Sequence, residues 1–201
     1  MKKLRLTFCA LCAALATPAI EATTVIPPSF DELVAQAELI FQGTVTEVRS
    51  QWVGEGGQRH IVSYVTLNVD DALKGELGGS YTVRMLGGTV DGQTMEVSDS
   101  PKFKVGDRDI LFVEHNGTQF IPLVGIMHGR FRLQKDNATG AEVVVTNSGR
   151  AVTDLAQLGK DDDAAHSRDS GSSSTDAATA SKTLDSDSFK AAIKAKLASG
   201  S

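Results

Sequence analysis

Between Leu39 and about Thr146 the apolar residues recur at every second position, a period that fits a sheet and little else. Phe41, Gly43 and Val45 alternate with Gln42, Thr44 and Thr46. Val65, Leu67 and Val69 alternate with Thr66, Asn68 and Asp70, and Tyr81, Val83 and Met85 with Thr82 and Arg84. Successive strand residues point to opposite faces, so each run buries one side and wets the other. Val48 falls out of phase with Val45, which predicts a bulge near Thr46 or Glu47. Ile110–Val113 is apolar throughout, as in a strand covered on both faces. Phe120–Val124, then Phe131 and Leu133 against Arg130 and Arg132, and Val143–Val145 complete the expected strands. Asp91-Gly92 and Asn116-Gly117 are hairpin dipeptides, and Lys74-Gly75, Gly78-Gly79, Gly87-Gly88 and Gly106-Asp107 mark further reversals. Short strands, frequent turns and no βαβ alternation predict an all-β fold, a small closed OB-like barrel of five to seven strands.

Helical spacing flanks this region on both sides. Pro27 and Pro28 precede Ser29, a good N-cap, and Glu32 completes a capping box for a short helix over Phe30–Ala37. Phe30, Leu33, Val34 and Ala37 form its apolar face. From Gly159 to about residue 183 the chain is Asp, Ser, Ala, Thr and Gly with almost no large apolar side chain, the composition of a disordered linker. Over residues 184–201, Phe189, Ile193 and Leu197 recur every four positions behind Asp185 and Asp187. That pattern predicts an amphipathic helix, too short to stand alone in water, so it docks on its own domain or on a partner.

The amino terminus reads as a secretory leader. Lys2, Lys3 and Arg5 precede an apolar run from Leu6 to Ala16, and small residues follow at Ala19 and Ala22. The run is far short of the ~20 residues that span a bilayer. Cleavage is expected after Ala22, with Ala19 the second choice. The expected division is therefore a signal peptide over 1–22, a barrel domain over 23–158, a linker over 159–183 and the helix over 184–201. Such a product is secreted or periplasmic, with no membrane anchor. Both cysteines, Cys9 and Cys12, lie in the leader, so the mature chain has neither disulfide nor thiolate. Of 20 basic and 25 acidic residues, the leader and Glu21 take three and one, leaving 17 against 24, a net charge of −7. That balance, with 5% aromatic residues, argues against a nucleic-acid groove, which pairs Lys and Arg with stacking rings.

Chemistry is sparse. There is no nucleophile elbow, His-Glu-x-x-His, Walker loop or dinucleotide fingerprint. His60, His115, His128 and His166 lack metal-ligand spacing, and His128 in Ile126-Met127-His128-Gly129 reads first as structural. Asp70-Asp71 ends a strand, where neighbours face opposite ways. Asp161–Asp163 reads as a solvated acidic run. Asn116 and Asn137 head sequon-like triplets but are also ordinary turn residues. Trp52, the only tryptophan, adjoins a Gly-rich stretch and serves either as a contact residue or as a cap on the core. No catalytic residue, cofactor or metal is expected, so the chain reads as a binding module and not an enzyme.

Several phrases carry a resemblance: prolines and a helix, then Ala37-Glu38-Leu39-Ile40-Phe41-Gln42-Gly43-Thr44-Val45, Leu73-Lys74-Gly75, and Phe103-Lys104-Val105-Gly106-Asp107-Arg108-Asp109-Ile110-Leu111-Phe112. Over roughly residues 23–124 the chain resembles the netrin-like module of the tissue inhibitors of metalloproteinases, a five-stranded OB barrel, and a set of exported bacterial proteins. In that family the free amino terminus begins Cys-Thr-Cys-Val-Pro, and its first amine and carbonyl chelate the protease zinc. Here Thr23-Thr24-Val25-Ile26-Pro27 stands at that place. Thr24 and Pro27 match, while Thr23 and Val25 replace both cysteines and so remove the disulfides that stiffen the wedge. The resemblance implies binding residues Thr23, Thr24, Val25, Ile26 and Pro27, with a second contact loop at Met95, Glu96, Val97 and Ser98. It implies a protein partner such as a secreted metalloprotease, met by a monomer. A cell-surface polymer or glycan is the alternative ligand, with Trp52, Tyr64 and Tyr81 as its stacking face.

Overall fold

A computed structural model describes residues 27–136, 139–160 and 183–200. The expected signal peptide, Thr23, Thr24, Val25, Ile26, Asn137 and most of the expected linker lie outside the described residues.

The capping box forms as expected. Ser29 Oγ accepts from the Glu32 N–H, and the Glu32 carboxylate accepts from the Ser29 N–H at 2.8 Å, opening helix α1 (Phe30–Gln36). Two long strands follow, β1 (Leu39–Val53) and β2 (His60–Lys74), then β3 (Ser80–Leu86) and the small hairpin β4 (Gly88–Val90) and β5 (Gln93–Met95). Strands β6 (Arg108–Val113), β7 (Arg130–Lys135) and β8 (Glu142–Thr146) precede the last helix, α2 (Ser186–Ser199). The main sheet has six antiparallel strands in the order β3-β2-β1-β6-β7-β8.

The sheet does not close into the expected barrel, since β3 and β8 stand at its two edges. Each edge is occupied locally. On β3, the Arg84 N–H donates to Asn116 Oδ1, Asn116 Nδ2 donates to the Thr82 carbonyl, and the Leu86 N–H donates to the Phe120 carbonyl. On β8, the Val144 N–H donates to the Leu184 carbonyl and the Val144 carbonyl accepts from the Val152 N–H. The segment Phe120–Val124 is consequently not the expected strand: it makes one bridge, Val113 to Leu123, and leaves Phe120 71% exposed. Asn116 does more than turn the chain, because its side-chain amide is spent on bracing β3.

Both faces of the sheet are covered at its centre. On one, Ile40, Ile110, Phe112, Phe131 and Val144 pack under the two helices with Leu33, Val34, Phe189 and Ile193. Phe189 meets the rings of Phe131, Phe30 and Phe112 at centroid distances of 4.9, 6.0 and 6.4 Å. The terminal helix thus docks on its own domain, and Lys196 Nζ reaches Asp31 at 2.6 Å. The other face gathers Phe41, Val45, Val65, Leu67, Val83, Met85, Leu111 and Val113. Ile110–Val113, fully buried, serves both faces as its composition predicted.

β1 changes character along its length. From Leu39 to Thr44 it lies between β2 and β6, and the register with β2 shifts between Val45 and Glu47, at the expected bulge. Two further shifts, at Ile40/Phe41 and Gln42/Gly43, leave no mark in the alternation. Beyond Val45, β1 pairs with β2 alone among the described strands.

A groove under the crossing hairpin

A concavity lies where the β4–β5 hairpin crosses the far half of β1 and the paired first half of β2. Its origin is local. Gly87 and Gly88 both have positive φ (97° and 135°), which lets the chain leave β3 and fold back over the sheet. The Gly87 N–H donates to the Ile61 carbonyl at 2.8 Å, and Ser63 Oγ donates to the Gly87 carbonyl at 2.7 Å. Ser50 and Ser63 hydroxyls bond each other at 2.8 Å directly beneath Gly88, where an added Cβ would stand 2.3 Å from the Ser63 oxygen. No side chain fits there, so Gly88 sets how closely the hairpin lies. Asp91 and Gly92, with φ of 51° and 76°, supply the tight turn that their sequence predicted.

The groove holds about 380 Å³ between Val48, Val65 and Met85 on the sheet and Met95, Val97 and Phe103 opposite. Met85 and Met95 face it from opposite sides, side chains that adapt to varied partners, and Ser50 and Ser63 add hydroxyls to the floor. Of the lining charges, Glu96 and Lys102 satisfy each other at 3.1 Å.

The wall carrying Phe103 is fastened by a buried arginine. Arg130 is 2% exposed, although its place in the alternation put it on the wet face. Its Nε and Nη2 donate to the two oxygens of Asp109, each at 3.0 Å, and Nη2 also donates to Asp107 at 2.8 Å. Nη1 donates to the Lys102 carbonyl at 2.7 Å, and the guanidinium lies 4.0 Å above the Phe103 ring. Burial pushes the Asp109 carboxyl above its ordinary value of 3.8, while Arg130 pulls it back. A planar fork that bonds two carboxylates, a carbonyl and a ring face is a role lysine cannot fill. Alternation hid this residue; the acidic Asp107 and Asp109, 23 and 21 positions earlier, were the available signal.

The expected binding residues are divided. Met95, Glu96 and Val97 line the groove, whereas Ser98 is exposed outside its lining. Pro27, the only described member of the amino-terminal set, is buried elsewhere: an added Cβ on Gly159 would lie 3.0 Å from its carbonyl oxygen. Gly159 and Lys160, expected in the linker, belong to the folded unit. His128 is half-buried in the turn after Gly125. Asp70 faces Thr44 and Asn68, while Asp71 faces Lys190 and Lys194 of α2. Tyr64 pairs with Arg84 and Tyr81 with Leu67, which sets the two tyrosines on opposite faces of the sheet. The Trp52 ring lies under the Arg59 guanidinium at 4.7 Å.

A larger hollow of about 910 Å³ is lined by Arg108, Asp136, Glu142, Asp185 and Lys190 among others. Its cations are engaged, Arg108 with Glu142 and Lys190 with Asp187. Among the described residues no group of three or more His, Cys, Asp or Glu is placed to hold a metal ion, and no helix is long and apolar enough to cross a membrane. No protein-family model matches the chain, nor does any curated protein or solved structure.

Proposed function

We propose that the chain is an exported, non-catalytic binding module that recognises a protein partner through the groove under the β4–β5 hairpin. One observation carries this reading: Met95 and Val97, from the contact loop that the netrin-like resemblance implies, form an apolar wall opposite Val48 and Met85. A second supports it, because the buried Arg130 holds Phe103 in place without itself entering the groove. Rigid positioning of a recognition surface limits the ordering cost of binding. The meander β1–β2–β3, with the β6–β7 hairpin on the other side of β1, is consistent with an OB-like module that remains partly open.

A secreted metalloprotease is the partner class that the resemblance favours. The polymer-binding alternative has less to stand on, since Tyr64 and Tyr81 face opposite ways and cannot join Trp52 in one stacking face. The test mixes the chain processed after Ala22, at micromolar concentration, with zinc proteases secreted by the same organism. A slowed hydrolysis that Val97→Asp restores is the expected result. An unchanged rate rejects the inhibitor reading, and inhibition that survives a one-residue amino-terminal extension rejects a role for the terminal amine.

A further inference from the structure

Seven residues of β1, Glu47–Val53, pair with β2 on one side and with no described strand on the other. The last bonds on that side are those of Val45, whose N–H donates to the Asp107 carbonyl and whose carbonyl accepts from Gly106. Alternate residues of an edge strand carry unpaired N–H and C=O groups that template a further strand. Proteins usually shield such edges with proline, lysine or a bulge. From Val48 to Val53 there is none of these, and Arg49 is the segment's one charge. Val48 is one of the few large apolar side chains left exposed, at 39%.

We propose that this edge is where two copies of the chain meet, antiparallel about Ser50, and that each copy lends Trp52 to the other's groove. The side chains select the register. A two-fold axis at Arg49 would set two guanidinium groups face to face, which is unfavourable. An axis at Val48 would drive the second copy's Gln51–Val53 into the Gly106–Asp107 turn that already bonds Val45. The axis at Ser50 pairs the whole free segment. It sets Val48 opposite the second copy's Trp52, Arg49 opposite Gln51 and Glu47 opposite Val53, with no like charges directly opposed. Residues 48, 50 and 52 share one face of β1, with no register shift between them, and Val48 and Ser50 already line the groove. Directly opposed residues in an antiparallel pair point to the same face, so the incoming indole lands beside Val48 at the groove's open side. The interface is isologous, as a two-fold dimer requires. The groove's own ligand does not enter this argument, so the dimer stands or falls apart from the proposed function.

The test uses the full chain with Cys9→Ser and Cys12→Ser, in which an added cysteine is the only thiol. Directly opposed strand residues lie ~5 Å apart between Cα atoms, within reach of a disulfide. Ser50→Cys is expected to cross-link into dimers under mild oxidation. Glu47→Cys is not, because its two copies would lie ~20 Å apart along the strands. In sedimentation equilibrium the chain without added cysteine should show a concentration-dependent dimer that Val48→Lys weakens about tenfold, with an unchanged thermal melt. A monomer at all concentrations up to about 1 mM overturns the proposal, as does a dimer indifferent to Val48→Lys. Equal cross-linking at positions 47 and 50, or none at either, overturns the register.

Discussion

The two halves of β1 are one strand with two environments. Leu39–Thr44 lies between β2 and β6, with Ile40 and Phe41 at 0% exposure. Glu47–Val53 lies beyond the bulge, paired on one side, its first three residues exposed. Burial on both faces makes the near half scaffold, where every side chain is constrained by its neighbours. Among the described strands the far half has a partner on one side, which frees its residues to face a groove and an open edge. A single extra residue at the bulge separates the two uses of the strand.

Substitutions should divide along that line. The largest effect is expected from deleting residues 184–201, which takes Phe189 and Ile193 out of the helix-covered core. Each fully buried side chain contributes ~2–5 kcal/mol, so thermal or denaturant unfolding should show a loss above about 5 kcal/mol or no cooperative transition at all. Next comes Arg130→Ala, which strands the Asp109 carboxylate in the interior. A loss of about 3–5 kcal/mol is expected in denaturant titration, and Arg130→Lys should recover little of it. Ser29→Ala removes the cap of α1 and should lower stability by about 1 kcal/mol in the same measurement. Val48→Ser, in the far half, should change stability by less than about 0.5 kcal/mol. A large loss at Val48, or none at Arg130, would break the contrast between scaffold and edge.

Acid sharpens the same comparison, because two carboxylates respond with opposite sign. The Glu32 carboxyl is held below its ordinary 4.5 by the Ser29 hydroxyl and N–H, so its contribution is complete above pH 4.5 and is lost as pH falls through the lower folded value. Asp109 is raised by burial, so the native state takes up its proton before the unfolded chain does. Its share of stability therefore grows as pH falls through that raised value towards 3.8. Melting temperatures recorded from pH 6 to pH 3 should fall less steeply for Ser29→Ala than for the parent chain. They should fall more steeply for Asp109→Asn, provided that variant folds.

Local signals in the sequence were the legible ones. The Ser29–Glu32 box, the Thr46 bulge, the Asp91-Gly92 turn and the doubly covered Ile110–Val113 each depend on a few adjacent residues, and each is where the alternation places it. What stayed hidden depends on partners far along the chain. A charged residue in an alternating run reads as solvent-facing, and only Asp107, Asp109 and the Lys102 carbonyl make burial of Arg130 favourable. Phe120–Val124 has the composition of a strand, yet the preceding loop is held on the edge of β3 by Asn116. The groove likewise had only half a signature. Met95 and Val97 came from the resemblance, while Val48, Met85 and Phe103 meet them because Gly87 and Gly88 turn the hairpin across the sheet.

The contact between α1 and α2 governs how the molecule is made. Phe30 and Asp31 wait on Phe189 and Lys196, and the Asp31–Lys196 pair spans 165 positions. Such remote closures make folding slow and leave apolar surface uncovered until they form. A nascent chain therefore lacks the lid of its main core until α2 has left the ribosome. Removal of α2 by a protease would reopen that core in a finished molecule.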